Sequence, residues 1–433
     1  MISFFRKLWR DKRGNALVIA AAALPLVLGS AGLASDTIQW ALWKRQLQRA
    51  ADSGSIAGVH AIAEDGGSRT NVSTAVDHDL TYNSHVGITT TKVVGAPTTG
   101  SYTSDPYAVR VQLSVQKKLS FSGLFMTFTP TITAAATATI VPSGKYCVIS
   151  LENTAVTGIT ATGNADVNLG CGMITNSTSM TAAIATGSTS VTASPIAAVG
   201  GISGSNNWGT GTVLQPFTPA EPDPFASVPP PTFPNPQCPN LNVNANSTKT
   251  TWNGSDYKTT PDGYLCFGNM TLNGNVTLPS NSVIVLDGGS LSIGSQANVS
   301  CSNCTFVLSS RNADTNPGSI GNVDINGGAT VNLTASNTGT YQGIIVYQDR
   351  RAVNGTNANQ QSRLNGNSSS VYQGAFYFPN EQITFNGTAG MQTNCLQLVA
   401  RTVVYSGNMN INNSCPANSG AHAFDGKKVR LVE

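Results

Sequence analysis

The sequence predicts an N-terminal transmembrane helix plus a small α+β domain, followed by a mainly β region. Three observations support this class. Residues 16–34 carry no charge and follow a basic cluster, short β-branched runs between Gly and Asn turns fill the chain after residue 146, and all eight cysteines lie beyond the uncharged stretch. We divide the chain into a basic cluster with a transmembrane and an amphipathic helix (1–62), a membrane-proximal α+β domain (63–145) and a β-helix (146–433), which a proline-rich segment (215–239) interrupts.

The uncharged stretch has the length of a membrane span, because a helix of residues 16–34 extends roughly 28 Å. The basic residues before it are Arg6, Lys7, Arg10, Lys12 and Arg13. Positive flanks stay in the cytoplasm, which predicts a single pass with the bulk of the chain periplasmic or on the cell surface. The anchor residues are Gly14, Leu17, Val18, Ile19, Leu24, Pro25, Leu26, Val27 and Leu28. The alternative is a signal peptide cleaved near Ala31 or Ser35, where small residues suit a peptidase.

The amphipathic helix that follows the span offers a surface for a partner helix. Apolar residues recur at helical spacing, and its tryptophans suit the membrane–water interface. The predicted partner-helix face consists of Trp40, Trp43, Leu47, Ala50 and Ala51. Small residues in the segment 57–61 would let another helix approach closely. The alternative is a helix that lies on its own domain.

Residues 10–61 carry a combination of motifs that resembles a known family. The motifs are Arg13-Gly14, an internal Leu24-Pro25, the run from Leu47 to Asp52 that reads Leu-Gln-Arg-Ala-Ala-Asp, and Ile56-Ala57-Gly58. Together they resemble the N-terminal segment of TadE/TadG-like tight-adherence (Flp) pilus-assembly proteins. The C-terminal region is similar, more loosely, to the β-helical regions of some TadG-like proteins.

The resemblance implies a membrane-anchored, extracytoplasmic component of a bacterial Tad/Flp pilus system that acts in pilus assembly or adhesion. It implies an inner-membrane location, contacts with other pilus components through the transmembrane helix, and a possible surface or glycan ligand. Two departures from related proteins matter. Ile19 stands where prepilins carry Glu after their cleavage site, and the serines after Asp52 have the wrong spacing for a von Willebrand-type metal site. We therefore predict no metal and no cofactor.

Composition narrows the compartment and the partners. Only 10% of the residues are charged and the net charge is +3, so the sequence shows no basic patch suited to nucleic acid. An even number of cysteines in an exported region favours disulfides in an oxidising compartment. Pairing of sequence neighbours gives Cys147–Cys171, Cys238–Cys266, Cys301–Cys304 and Cys395–Cys415.

The membrane-proximal domain shows helix and strand patterns. A helix is plausible over residues 72–82, and residues 108–116 alternate apolar and polar side chains like a half-buried strand. Leu124-Phe125-Met126 is interpreted as a hydrophobic plug. His78, with Asp77, Asp79 and His85 nearby, could bind a metal, although the alternative is a solvated helix face.

Beyond residue 146, short strands with turns every eight to twelve residues are consistent with a β-sandwich or a solenoid. We favour a right-handed parallel β-helix over β-sandwich domains, because each strand has few apolar positions and these are mostly small or β-branched. Stacked coils suit such strands, since every coil borrows its core from its neighbours. The proline-rich segment is either a linker or a strap across one continuous domain.

Many β-helix proteins are polysaccharide-active enzymes, so the alternative function is a secreted protein that binds or degrades polysaccharides. Such reactions use paired carboxylates or a Ca²⁺ cluster. Asp287 and Asp324 both lie beside glycine-rich turns, and Asp349-Arg350-Arg351 could bind an anionic sugar or form a solvated loop. Aromatic residues could form a binding strip or stack along the core; they are Tyr341, Tyr347, Tyr372, Phe376, Tyr377 and Phe378. Without a convergent catalytic group, we predict a non-enzymatic protein.

Overall fold

The computed structural model describes residues 14–83, 91–353, 361–386, 391–408, 410–414 and 424–433. The chain divides into two compact units, which consist of Met1–Val141 with Val429–Glu433 (unit 1) and of Pro142–Lys428 (unit 2). A long apolar helix comes first and strands dominate the remainder, so the predicted class is confirmed at this level.

The described part of unit 1 contains two α-helices, a short 3-10 helix and an antiparallel sheet in which β2 pairs with both β1 and β3. The elements are α1 (Gly14–Glu64), α2 (Val72–Tyr82), β1 (Thr91–Gly95), β2 (Val109–Gln116), η1 (Ser122–Leu124) and β3 (Thr131–Ser150), of which residues up to Val141 belong to unit 1. The predicted helix over 72–82 and the predicted strand over 108–116 are both confirmed.

The core of unit 1 forms where the helices cover one face of the sheet. Along β2 every second side chain is buried, as expected for a strand with one face on a core. The buried members of β2 and β3 are Val109, Val111, Leu113, Val115, Ile132, Ala134, Ala136 and Ala138. The helices contribute Leu47, Ala50, Ala51, Val59, Ile62, Val72 and Val76.

Unit 2 consists mainly of short strands, most of which form parallel pairs; β13 instead pairs antiparallel with β14. They include the end of β3 and β4 (Ile159–Ala161), β5 (Asp166–Asn168), β6 (Gly172–Thr175), β7 (Ala183–Ala185), β8 (Ser190–Thr192), β9 (Ile196–Ala198), β10 (Leu214–Pro216), β11 (Leu241–Val243), β12 (Thr248–Lys249), β13 (Lys258–Thr259), β14 (Leu265–Phe267), β15 (Met270–Leu272) and β16 (Asn275–Thr277). The later strands are β17 (Val283–Asp287), β18 (Leu291–Ile293), β19 (Asn298–Cys301), β20 (Thr305–Ser309), β21 (Val323–Ile325), β22 (Thr330–Thr334), β23 (Ile344–Gln348), β24 (Ser362–Leu364), β25 (Val371–Phe385), β26 (Met391–Tyr405), β27 (Asn410–Ser414) and β28 (Phe424–Leu431), with η2 at Pro317–Ser319.

The parallel pairings form three ladders. Ladder A runs through β10, β9, β6, β3, β26, β25, β23, β20, β17 and β14. Ladder B includes β11, β15, β18, β21, β24, β25, β26, β4 and β7. Ladder C includes β12, β16, β19, β22, β25, β26, β27, β5 and β8. Successive strands mostly belong to ladders A, B and C in turn, and we call one such set of three segments a coil. Strands β9 and β10 both belong to ladder A, and β25 and β26 each run through all three ladders.

The stacking order differs from the chain order. β3 pairs with β6 on one side and with β26 on the other, so Val148 lies opposite Leu398 in the register. The coils of residues 146–216 therefore stack on the last coils of the chain. As a result, β10 and β11, which are close in sequence, lie at opposite ends of the described ladders.

The proline-rich strap (residues 217–240) joins these two ends. Ladder A contains ten strands, and nine spacings of about 4.8 Å give a stack of about 43 Å. An extended segment of this length reaches about 74 Å at 3.1 Å per residue, which is sufficient to cross the stack. The segment contacts ladder A along its length, as described below. The proline-rich segment is therefore a strap that packs on the stack and not a free linker.

The strap explains a difference in burial between the ladders. Strands β20 and β23 of ladder A are buried at every position, whereas strands of ladders B and C, such as β18 and β16, alternate. Ladder A has the interior of the stack on one face and the strap on the other. Its strands accordingly read as continuous apolar runs, a pattern typical of strands covered on both faces.

Candidate membrane anchor

The first half of α1 exposes its apolar side chains. Six of the predicted anchor residues are between 58% and 75% exposed, namely Val18, Ile19, Leu24, Leu26, Val27 and Leu28. Pro25 lies inside the helix, and Gly14 and Leu17 belong to it as well. Among the described residues, α1 is the one helix that is both long enough and apolar enough to cross a membrane. Such a surface is unfavourable in water and favourable in lipid.

The connection between β2 and β3 (residues 117–130, the η1 loop) contacts α1 just beyond the uncharged stretch. The Asp36 carboxylate is buried and accepts hydrogen bonds from the backbone N–H groups of Phe121 (2.8 Å) and Ser122 (2.5 Å). A side chain at Gly32 would overlap the Phe121 ring. Sequence periodicity does not predict this contact, because 85 residues separate Asp36 from Phe121.

The interpretation of residues 124–126 as a hydrophobic plug is wrong. Leu124 is 77% and Phe125 is 75% exposed, and Met126 is exposed as well. The hydrogen bonds to Asp36 hold the backbone at the start of η1 against the helix. The side chains that follow lie on the surface instead of filling a core.

The residues predicted as a partner-helix face lie mostly in the core of unit 1. Leu47, Ala50 and Ala51 are at most 7% exposed, and Trp43 packs against the same cluster. Trp40 is 45% exposed. The structure thus favours the alternative prediction that the helix lies on its own domain. Trp40 is the exception among the five predicted residues.

The small residues after this face also pack within unit 1. A Cβ atom at Gly58 would lie 2.8 Å from Val109 Cγ1 of β2 and 3.2 Å from Val76 Cγ2 of α2. Close approach of another helix was predicted here, and the helix that approaches is the chain's own α2. Gly58 and the buried residues before it therefore pack α1 on its own domain.

The structure gives the residues around His78 other partners. Asp77 forms an ion pair with Lys92, and Asp79 accepts a hydrogen bond from Ser53 (2.8 Å). His78 stacks edge-on against Tyr82, while His85 lies outside the described residues. Burial lowers the pKa of neighbouring His60, although Glu64 acts in the opposite direction. These contacts favour an ordinary helix surface.

The aromatic residues proposed as a binding strip are buried. All six of the residues at 341, 347, 372, 376, 377 and 378 are at most 2% exposed. Tyr347 lies 5.2 Å from both Tyr341 and Tyr377 between ring centroids, so stacking along the core is confirmed and an exposed strip is not formed. Two surfaces account for this burial. The strap covers Tyr341, Tyr347 and Tyr377 on the outer face of ladder A, whereas the other three aromatic residues belong to the hydrophobic cluster inside the stack.

The strap is held by hydrogen bonds that its carbonyl groups accept. Proline lacks an N–H donor, but each carbonyl in the segment still requires a partner when it is buried. The hydroxyl of Tyr347 donates to the carbonyl of Val228 and that of Tyr341 to the carbonyl of Pro229, both at 3.0 Å. The Tyr377 hydroxyl donates to Asp223 at 2.7 Å.

The basic residues proposed as an anionic-sugar site have partners within unit 2. Arg350 donates to the carbonyls of Phe225 and Val228 in the strap and lies over the ring of Tyr377. Arg351 forms an ion pair with Asp349 at 2.6 Å. Arg350 therefore holds the strap against ladder A, and Arg351 pairs with an acid of the same segment. These contacts differ from both predicted alternatives, which are a sugar site and a solvated loop.

The candidate carboxylates likewise form ion pairs. Asp287 is buried and pairs with Arg311 at 2.5 Å, and Asp324 pairs with Arg363 at 2.9 Å. Each of the two acids therefore has its own arginine partner.

Glu381 is a buried acid of a different kind. It is 4% exposed, accepts a hydrogen bond from the Ser362 hydroxyl at 3.2 Å, and burial raises its pKa to about 7. The unfolded chain releases this proton near pH 4.5, whereas the folded chain keeps it up to about pH 7. The corresponding stability is present below pH 4.5 and is lost as the pH rises to 7.

We expect Glu381→Gln to flatten this pH dependence. Relative to wild type, the variant should gain stability between pH 5 and 8, by at most about 3 kcal/mol, since one pKa unit corresponds to 1.36 kcal/mol. Urea unfolding of the full chain at pH 5 and at pH 8 measures the difference. Glu221, whose pKa burial also raises to about 7, serves as the control site, and Glu221→Gln should account for a separate part of the slope. Equal slopes in wild type and Glu381→Gln would contradict the expectation.

Three of the four predicted disulfides are confirmed. They are Cys147–Cys171, Cys238–Cys266 and Cys301–Cys304. The fourth, Cys395–Cys415, involves Cys415, which lies outside the described residues. Cys238, Cys266 and Asp287 lie close enough together to suggest a metal site. The two sulfur atoms are bonded to each other, however, and a thiolate is what a metal would require.

The family comparison concerns α1. The Tad family model, "Putative Flp pilus-assembly TadE/G-like", matches residues 14–61. No curated protein and no solved structure matches the chain at a significant level. The match covers the apolar, exposed half of α1 and the half that packs in unit 1, which fits a membrane-anchored, pilus-related protein. The resemblance predicted from the sequence is thus confirmed: residues 14–61 are similar to the TadE/G-like Flp pilus-assembly family.

Proposed function

We propose that the protein is a single-pass inner-membrane component of a bacterial Tad/Flp pilus system, with its N-terminus in the cytoplasm. Unit 2 lies in the periplasm or at the cell surface and acts, without enzymatic activity, in pilus assembly or adhesion. One observation carries the proposal: the TadE/G-like segment coincides with a helix whose first half exposes an apolar, membrane-length surface.

The disulfides support the location outside the cytoplasm. Three disulfides staple unit 2, and disulfides persist mainly in oxidising compartments. The ion pairs of Asp287, Asp324 and Asp349 support a non-enzymatic role, because each carboxylate has an arginine partner within unit 2.

The three parallel ladders support the interpretation of unit 2 as a right-handed parallel β-helix. The three ladders share one apolar interior, in which small and β-branched residues lie together with leucines and aromatic residues. A solenoid of this kind presents a long, regular surface to partners. On this proposal the β-helix is the part that meets other pilus components or a surface ligand.

Fractionation of cells that express the native protein tests the proposal. We expect full-length protein, intact near Met1, in inner membranes that have been washed with carbonate. Leu26→Arg with Val27→Arg should reduce this fraction strongly, because each arginine at the centre of a span costs about 2.5–3.5 kcal/mol. Ser73→Arg with Thr74→Arg, on the exposed face of α2, is the matched control and should remain in the membrane.

Two other outcomes are informative. Soluble protein that starts near Ala31 or Ser35 would contradict the anchor and favour the secreted, polysaccharide-active alternative. Protein that starts at Asn15 in sheared pili would show that the chain is processed and incorporated despite Ile19.

A further inference from the structure

The η1 loop exposes an apolar surface that the core of unit 1 does not use. Its exposed apolar side chains are those of Leu124, Phe125, Met126 and Phe128, which are 42–77% exposed. Four large apolar residues within five positions of one loop form a patch and not a set of scattered exposures. Such patches mark interaction sites with protein or membrane.

The contacts of the loop show where along α1 this patch lies. Lys117, at the start of the loop, lies over the ring of Trp43, and Ser120 donates a hydrogen bond to Gln39 at 3.0 Å. Phe121 then reaches Asp36 and Gly32. From Trp43 to Gly32 the contact point moves eleven residues along α1, or about 16 Å, towards the uncharged stretch.

The end of the η1 loop contacts the same part of α1 as its start. Lys44 of α1 donates a hydrogen bond to the carbonyl of Thr133, and Gln48 donates to the carbonyl of Ala135 at 3.0 Å. The start of β3 is therefore level with Lys44. The loop between Lys117 and Thr133 thus extends along α1 in the direction of the predicted span, and its known helix contacts end at Gly32, two residues before the last uncharged position.

We propose that the η1 loop is a second membrane-contacting element, which places Leu124, Phe125 and Phe128 in the lipid bilayer beside the point where α1 leaves it. This inference rests on the proposed membrane anchor, because α1 sets the depth of the loop. The occupant of the patch is the lipid, since the loop is continuous with the exposed apolar surface of α1. Lys117, which lies over Trp43, marks the end of the loop farther from the bilayer.

Asp36 is the positioning residue of this element. Its carboxylate would be costly at the edge of a bilayer without partners, and the two backbone N–H groups of the loop supply them. The same hydrogen bonds hold η1 against the helix. The first acid after the span therefore lies in the contact between α1 and the loop instead of facing lipid.

Fluorescence of a labelled loop tests the proposal. Full-length Phe125→Cys, labelled with an environment-sensitive nitrobenzoxadiazole dye, is reconstituted in vesicles of phosphatidylethanolamine and phosphatidylglycerol. Thr74→Cys is the matched control, because this exposed residue lies near Ala61, about 40 Å further along α1 than Gly32. We expect blue-shifted emission and quenching by spin-labelled lipids for the dye at 125, and neither for the dye at 74.

The outcomes separate the loop from the anchor. If the protein stays in carbonate-washed vesicles but the dye at 125 behaves like the dye at 74, the loop proposal is overturned and the anchor stands. This result is also expected if a protein partner, and not lipid, covers the patch. If carbonate extracts the protein, the anchor is overturned and the loop proposal with it.

A second variant tests the role of Asp36. Adding Asp36→Ala to labelled Phe125→Cys should reduce quenching by spin-labelled lipids, because η1 loses both hydrogen bonds that hold it against α1. Thr37→Ala is the control, since the Thr37 hydroxyl donates to the carbonyl of Leu33 within the helix. Unchanged quenching in the Asp36 variant would show that this residue does not position the loop.

Discussion

Replacing Gly58 by leucine is expected to destabilise unit 1 by about 3 kcal/mol or more. Even a Cβ atom at this position would lie 2.8 Å from Val109 and within 3.3 Å of both Val72 and Val76, so neither β2 nor α2 leaves room for a larger side chain. Overpacking of a filled core costs typically 1–3 kcal/mol and occasionally more. The gain in helix propensity, of the order of 1 kcal/mol, offsets only part of this loss.

Hydrogen exchange of the full chain, followed by mass spectrometry, measures the effect where it arises. We expect peptides from β2 and α2 to lose protection in Gly58→Leu. Gly29→Leu is the matched control within the same helix, because nothing lies within 4 Å of a Cβ atom at Gly29. Equal protection of β2 in both variants would show that α1 does not pack against unit 1 as described.

Removal of the Cys238–Cys266 disulfide is expected to cost unit 2 about 4 kcal/mol. The bond joins the end of the strap to β14 and closes a loop with a sequence separation of 28. In the chain-entropy description, the stabilisation grows with the logarithm of loop length. Without the bond, the strap should detach more readily from the end of ladder A.

The double variant Cys301→Ala with Cys304→Ala is the matched control. These cysteines are equally buried, but their sequence separation is only 3, for which the same relation predicts about 2 kcal/mol. Urea unfolding of Cys238→Ala with Cys266→Ala should therefore show the larger loss, together with new proteolytic cleavage within residues 217–240. Equal losses in the two double variants would mean that loop closure does not explain the stabilisation.

Sequence reasoning succeeded where the signal is local. α2 and β2 were predicted from the spacing of a few residues, because a period of 3.6 or 2 directly reports which face is buried. Disulfides between sequence neighbours were predictable for a related reason. Cys147 and Cys171 lie about one coil apart, and β3 and β6 are adjacent rungs of ladder A, so neighbours in sequence become neighbours in space.

Sequence reasoning failed where burial depends on a distant cover. Tyr341 and Tyr347 belong to the predicted binding strip, but the strap, more than 100 residues earlier in the chain, lies over them. Arg350 is likewise a predicted sugar ligand whose partners are strap carbonyls that are distant in sequence. The opposite error occurred at Phe125, where an apolar run indicated burial and the side chain is exposed.

The sequence by itself determined that the chain has an uncharged helix of membrane length, a TadE/G-like segment, a mainly β region and disulfides between neighbouring cysteines. These features depend on composition and short-range periodicity. Only the tertiary structure decided that Val148 pairs with Leu398, that the strap crosses ladder A, and that α1 packs on its own domain. A hydrophobic pattern specifies that a face is buried but not which surface covers it, so contacts between residues hundreds of positions apart emerge only when the chain is folded.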